Sequence, residues 1–222
     1  TAPNAYGLES ESNAVFGQLD WKPGAAALRD RLTVTLGARY TEEEKDQYIS
    51  HPIVTDSNLQ VRPEWAFAGE ADENWNNFSP TVTLSWDLTE EASVYARYAE
   101  GWKSGGFNGE SVTLASFQRA YDAEEVVSYE IGLKSRWLDN RVQVNAAAFE
   151  NNVDDMQLSI FLADGSAASV VRNAGEATVR GFELEVLAEP VDNLLLNLSW
   201  GYLDPEYDKY IDDTGANVAD DR

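Results

Sequence analysis

Residues 78–91 read FSPTVTLSWDLTEE, and this stretch decides the fold. Apolar or ring-bearing residues take its even positions from Phe78 to Trp86, while serine, threonine and Asp87 take the odd ones. A period of two residues is typical of a β-strand with one apolar and one polar face. The run ends in a short polar turn that closes at Glu91 and leads into a second alternating run. The stretch therefore predicts a β-hairpin.

The same alternation returns along most of the chain. Strong apolar rows are Leu32, Val34, Leu36, Ala38 and Tyr40; Val127, Tyr129, Ile131 and Leu133; and Leu194, Leu196, Leu198, Trp200 and Tyr202. Weaker rows run over residues 15–21, 142–148 and 182–188. A strand needs about 9–11 residues to cross a bilayer, and the strong rows approach or reach that length. Counting all the alternating runs predicts eight strands.

The connections between these runs differ in length at the two ends of the strands. Tight turns are predicted at residues 23–30, 87–91, 138–140 and 190–193, whereas the far ends are joined by long polar connections such as 42–76 and 103–123. An outer-membrane barrel has short periplasmic turns and long extracellular loops, while a soluble sheet has no reason to keep one end short. We therefore predict an all-β fold, an antiparallel transmembrane β-barrel.

Aromatic residues gather at both ends of the apolar rows. They are Trp21, Trp86 and Trp137 beside the short turns, and Tyr40, Trp102 and Tyr202 beside the long connections. This arrangement is typical of the two aromatic girdles of a membrane barrel. A soluble β-sandwich with these rings in its core is the alternative, although its strands usually have only about 5–6 residues.

Composition and charge exclude several classes of function. The chain has 222 residues, no cysteine and a net charge of −23, which argues against a disulfide scaffold, thiolate chemistry and nucleic-acid binding. His51 is the single histidine, and the acidic run Glu42 to Glu44 is best explained as a solvated strand end. We predict no catalytic residue, no metal site and no cofactor.

Several ordered motifs resemble one family. Residues 95–108, YARYAEGWKSGGFN, closely resemble a mid-barrel stretch of TonB-dependent outer-membrane receptors. Residues 124–135, EEVVSYEIGLKS, are similar to the family's strand that enters the next periplasmic turn, and LDNR at 138–141 resembles that turn. NAGEA at 173–177 followed by GFELE at 181–185 resembles a further strand of the family.

The resemblance implies a 22-stranded barrel that holds a plug. Eight strands are about a third of such a barrel, so residues 1–222 are expected to be a partial barrel domain without signal peptide, plug or last strand. The alternative is a small closed eight-stranded barrel with an anchoring or adhesion role. Pairing of residues 13–21 with residues 194–202 would favour this alternative.

The resemblance also implies a function and partners. It implies a receptor in the Gram-negative outer membrane that takes up a scarce nutrient, such as an iron–siderophore complex, cobalamin or a saccharide, with the TonB complex engaging the plug. The lipid of that membrane is the other expected partner. Acidic loops slightly favour a neutral or cationic ligand, or a saccharide, over a strongly anionic siderophore. Our candidates for ligand contact are Trp65, Phe67, Trp75, Trp102, Phe107 and Asn108, because aromatic and polar loop residues bind small ligands.

Overall fold

The structure, a computed structural model, describes residues 5–24, 31–51, 60, 62–63, 66–109, 111, 113–161, 169–212 and 214–219. Its strands are β1 (Ala5–Trp21), β2 (Leu32–His51), β3 (Phe67–Asp87), β4 (Ala92–Lys103), β5 (Gly106–Phe107), β6 (Ala120–Tyr121), β7 (Glu124–Trp137), β8 (Val142–Phe161), β9 (Ser169–Val191) and β10 (Leu194–Tyr210). One short helix, α1 (Leu114–Phe117), lies between β5 and β6. Within the described ranges, no helix has the length and apolar character that crossing a membrane requires.

Eight strands form one antiparallel sheet in the order β1-β2-β3-β4-β7-β8-β9-β10, and β5 pairs with β6 in a separate two-stranded sheet. The predicted number of long strands is thus confirmed. Each long strand has 12–23 residues, which exceeds the roughly 9–11 needed to cross a bilayer. The extra length lies at the end opposite the short turns, so the strands extend beyond the expected membrane on the extracellular side.

The register of the sheet separates an outer face from an inner face. One row of laterally paired residues, all apolar or aromatic, is Val34, Leu84, Ala96, Ile131, Ala148, Phe182 and Tyr202. The adjacent row on the other face, which is more polar, is Thr35, Thr83, Arg97, Glu130, Phe149, Gly181 and Leu203. The alternation in the sequence therefore continues across seven strands, and we call the apolar side the outer face.

The apolar rows are not buried in a protein core. Leu36, Ile131, Leu198 and Trp200 are all exposed, with Ile131 reaching 64%. In the described part of the chain only six apolar side chains are buried, namely Ile49, Ala92, Phe117, Ile160, Ala174 and Ala177. A sandwich would cover the apolar face with a second sheet. The soluble β-sandwich is therefore wrong.

The short turns all lie at one end of the sheet. Residues 88–91 join β3 to β4, 138–141 join β7 to β8, and 192–193 join β9 to β10. Asn140 and Asn193 both have a φ of 67°, a left-handed conformation that asparagine tolerates better than most residues. Of the predicted turn at 23–30, residues 25–30 lie outside the described ranges.

The sheet is open within the described residues. Residues 13–21 of β1 pair with β2, and residues 194–202 of β10 pair with β9, which leaves β1 and β10 at the two edges. The closed eight-stranded barrel is not formed, because these two segments do not meet. Open edges of this length need neighbours in a membrane, since unpaired backbone groups are costly in lipid.

Candidate ligand site in the extracellular vestibule

The connection between β4 and β7 turns back over the inner face of the sheet. We name residues 104–123 the strap; positions 110 and 112 lie outside the described residues. The strap carries β5, α1 and β6, and it contacts β2 and β3 on one side and β8 and β9 on the other. It therefore crosses the inner face of the sheet near the end opposite the short turns.

The first anchor of the strap is a charged cluster around Lys45. The Lys45 ammonium donates to Ser104 Oγ at 2.8 Å and to the Gly105 carbonyl at 2.7 Å, and it lies 3.0 Å from Glu43 Oε1. Ser104 in turn donates to Glu43 at 2.6 Å, and the Trp75 ring lies 5.5 Å from the ammonium. The ion pair is half-buried, so it is screened less by salt than an exposed pair.

This anchor is expected to weaken in acid. Burial raises the pKa of Glu43, but hydrogen bonds from Ser104 and Lys45 outweigh it and hold the pKa below its ordinary value of 4.5. A lowered folded-state pKa stabilises the anchor above pH 4.5, and that contribution is lost as pH falls through the folded-state value. Hydrogen exchange of the strap, corrected for intrinsic rates, should therefore accelerate below about pH 4.5. Glu43→Gln should flatten this dependence; an unchanged profile in the variant would contradict the assignment.

The second anchor is apolar and centres on α1. Phe117 is completely buried and packs edge-on against Tyr6, with 6.5 Å between the ring centroids. Gln47, itself 3% exposed, donates from Nε2 to the Phe117 carbonyl at 2.8 Å. Leu114 packs directly over Gly69: a Cβ at residue 69 would lie 2.3 Å from Leu114 Cδ1, so a larger residue there would require the leucine side chain to move.

The third anchor joins the strap to β8 and β9. Asn173 donates to the carbonyl oxygens of Asp122 and Ala123, and its own Oδ1 accepts from the Asp122 amide at 2.7 Å. Gln157 Nε2 donates to the Ser104 carbonyl at 2.9 Å. Asn108 binds the backbone of Val171 in both directions, accepting at 2.7 Å and donating at 3.0 Å. Asn108, which the sequence predicts as a ligand contact, therefore joins the strap to β9.

The structure brings two of the predicted ligand residues together. The rings of Trp75, from β3, and Phe107, from the strap, lie edge to face with centroids 6.0 Å apart. Trp75 pairs laterally with Glu43, which places it on the inner face beside the first anchor. Both rings are half-buried, so part of each remains available to a ligand.

The other predicted residues lie elsewhere. Phe67 stacks on His51 at the extracellular tip of β2 and β3, with centroids 5.1 Å apart. Trp102 is four residues after Tyr98 on β4 and therefore lies on the same outer face, which agrees with its predicted place in the aromatic girdle. Trp65 lies outside the described residues.

A polar cleft of about 580 Å³ opens between the strap and the start of β9. Arg119 and Arg172 both line it, both are exposed, and neither makes an ion pair with another described residue. Burial raises the pKa of Tyr121, which also lines the cleft, so its phenol stays protonated and able to donate. Sequence patterns did not single out these three residues, because they come together only when the strap folds back.

Below the strap, the inner face carries polar contacts along the lumen. Tyr95 donates to Glu130 at 2.6 Å, and the Lys134 ammonium lies 5.3 Å from the centre of the Tyr95 ring. No group of three or more potential metal ligands gathers among the described residues. A polar inner face, an apolar outer face and a folded-back strap together define a segment of the wall of a transmembrane β-barrel.

Comparison with known proteins gives the family. The family model described as "TonB dependent receptor-like, beta-barrel" matches residues 2–221, and the chain belongs to this family. Members of this receptor family are placed in the outer membrane of Gram-negative bacteria. The crystal structure of the ferric yersiniabactin uptake receptor FyuA from Yersinia pestis has the same fold over 92% of the chain, with a TM-score of 0.74 and 21% identity. Because the match covers only 28% of FyuA, the fold is a partial barrel.

Curated relatives share more of the sequence. The chain is 28% identical over 178 residues to a probable TonB-dependent siderophore receptor, PiuA, from Acinetobacter baumannii; 68% of the chain and 23% of PiuA are covered. It is 27% identical to the pesticin receptor of Yersinia pestis, with 79% of the chain and 23% of that receptor covered. The chain thus spans less than a quarter of the length of these relatives.

Proposed function

We propose that the chain forms part of the barrel of an outer-membrane receptor that imports a small metal chelate of the siderophore type. A plug domain inside the complete barrel and the TonB complex would supply gating and energy. The observation that carries the proposal is the strap, which crosses the inner face, packs its Phe107 against Trp75 of β3, and lines a polar cleft with the residues that follow Phe107. The relatives' names, a siderophore receptor and a ferric-pyoverdine receptor among them, support the same ligand class.

The local charge of the cleft supports a chelate that carries anionic oxygens. The net charge of −23 belongs to the whole chain, and it favours neutral or cationic ligands only where the acidic residues lie close to the bound ligand. Arg119 and Arg172 instead offer two guanidinium groups, whose planar donors suit carboxylate oxygens. Asp122 is a carboxylate at the same cleft, which limits the net positive charge there.

Uptake measurements test the proposal. In the complete receptor, Trp75→Ala combined with Phe107→Ala should lower uptake of radiolabelled ferric siderophore by about tenfold, because each ring contact contributes about 0.5–1.5 kcal/mol. Receptor abundance in the outer membrane should stay constant. Trp102→Ala is the matched control: it removes an aromatic ring from the outer face of the neighbouring strand β4, and uptake should be unchanged.

Two results would count against the proposal. Wild-type uptake in the double variant would show that the aromatic pair does not contact the ligand. Failure of the wild-type receptor to restore growth on any ferric siderophore in a receptor-deficient strain would reject the ligand class itself. Hydrogen exchange of the strap in the double variant separates lost ligand contacts from a detached strap.

A further inference from the structure

The strap contains the single Asn–Gly pair of the chain, Asn108–Gly109. The pair directly follows β5, and both residues are half-buried. Glycine has no side chain to shield its backbone nitrogen, so this nitrogen can attack the side-chain amide of the asparagine before it. That attack is the first step of deamidation, which converts asparagine to a carboxylate. The pair is therefore a chemically reactive point in the strap.

The folded strap holds this reactive amide against β9. Asn108 Nδ2 donates to the Val171 carbonyl at 3.0 Å, and Asn108 Oδ1 accepts from the Val171 amide at 2.7 Å. Ser111 Oγ donates to the Asn108 carbonyl at 2.6 Å, which fixes the backbone beside the pair. Ring closure makes the Asn108 Cγ tetrahedral and expels Nδ2, so the flat two-way contact with Val171 must open first. We expect the reaction only from a strap that has left β9.

The carboxylate that replaces the amide does not fit the same place. An ionised carboxylate only accepts hydrogen bonds, so an oxygen at the Nδ2 position would face the Val171 carbonyl without a proton between them. Asn108 also lines the polar cleft together with Arg119 and Arg172. Guanidinium groups are strong partners of carboxylates. An acidic residue 108 should therefore turn from β9 towards the arginines of the cleft.

We propose that Asn108 is a deamidation site that reacts only when the strap leaves β9, and that its product keeps the strap from docking again. The Gly109 nitrogen forms a bond to Asn108 Cγ, the Cγ–Nδ2 bond breaks, and Nδ2 leaves as ammonia with the proton of the Gly109 amide. Water then opens the cyclic imide at one of its two carbonyls and gives aspartate or isoaspartate, without oxidation or reduction. Where the inference rests on the proposed function, the pairing of residue 108 with the cleft arginines also weakens binding of an anionic chelate.

Peptide mass spectrometry of the complete receptor in lipid vesicles, held at mildly alkaline pH, tests the site. The wild type is compared with Lys45→Ala combined with Phe117→Ala, which removes the anchors before and after Asn108 in the strap. Deamidation of Asn108 should be at least about tenfold faster in the double variant, a factor of the size that lost hydrogen bonds and packing produce. Asn140, in a short turn at the opposite end of the sheet, is the internal reference, and its rate should be equal in both proteins.

Two further measurements keep the test decisive if the double variant does not fold. Wild-type receptor unfolded in guanidinium chloride should deamidate Asn108 faster than the folded wild type does. Gly109→Ala should slow the reaction in the unfolded chain, because the added Cβ shields the attacking nitrogen. Equal rates at Asn108 in folded and unfolded wild type, or no deamidation of Asn108 in the unfolded chain, would overturn the proposal.

Asn108→Asp tests the consequence of the modification. Hydrogen exchange of the strap amides between β5 and α1 should accelerate by about tenfold, because the donor to the Val171 carbonyl is lost. Unchanged exchange would overturn the claim that the product keeps the strap from docking. Uptake of radiolabelled ferric siderophore should fall in the same variant. Faster exchange with unchanged uptake would support the modification site and count against the proposed ligand site instead.

Discussion

Phe117→Ala should release the middle of the strap from the sheet. Phe117 has no exposed surface, and Phe→Ala at such a site costs about 3–5 kcal/mol. The Phe117 carbonyl that Gln47 binds is backbone and survives the substitution, so the loss comes from ring packing, including the contact with Tyr6. Strap amides at 114–118 should then exchange at least about tenfold faster, since about 1.4 kcal/mol corresponds to a factor of ten.

The effect should stay local. The strap contacts the long strands mainly through side chains, whereas the sheet is held by continuous ladders such as β1 to β2. Protection in β2 and β3 should therefore remain close to wild type. Ala115→Ser, an exposed change in the same helix, is the control and should leave exchange unaltered. Equal loss of protection in strap and sheet would show that the strap is part of the barrel's cooperative unit.

Most of the sheet could be predicted because alternation reveals which face a residue occupies. Leu36 and Tyr40 share a row in the sequence, and the register places both on the outer face. The same rule, extended past Tyr40, puts Lys45 and Gln47 on the inner face, where the strap lies. The alternation therefore predicts the face of both anchor residues. The acidic run Glu42 to Glu44, which precedes them, instead suggests a solvated strand end.

The sequence predicts two roles for Trp102, one in the extracellular aromatic girdle and one in ligand contact. Its position four residues after Tyr98 gives both the same face, so the outer face follows from the period alone. Trp102 could contact a ligand in the lumen only if its side chain reached through the sheet to the inner face.

The strap itself could not be predicted. Asn108 contacts Val171, 63 residues further along the chain, and Lys45 contacts Gly105, 60 residues away. Neither contact can be read from a repeating pattern in the sequence, because a hydrogen bond between one side chain and a distant backbone group requires no regular spacing of residues. The length and polarity of the connection at residues 103–123 predict a loop but not the direction in which it folds. The inward fold of the loop is accompanied by burial of the Phe117 ring and by close packing of Leu114 over Gly69, and the sequence does not link these residues.

Leu36→Arg should destabilise the barrel in a bilayer by about 2–4 kcal/mol. Leu36 lies in the middle of the row from Leu32 to Tyr40, and its exposed surface faces lipid rather than water. A guanidinium at that depth must either lose its hydration or distort the membrane around it. Urea unfolding of the receptor in lipid vesicles should therefore show a lower midpoint, provided that the slope of the transition is unchanged.

Glu42→Arg is the matched comparison because it lies on the same strand and the same face, one outward position beyond Tyr40. There the side chain meets water, so the change should cost less than about 0.5 kcal/mol although it alters the charge more. The two substitutions thus differ mainly in depth. A similar cost for both would place Leu36 outside the membrane, and with it the whole assignment of the outer face would fail. A large cost for Leu36→Arg alone fixes the bilayer boundary between these two residues, at the height of the tyrosine girdle.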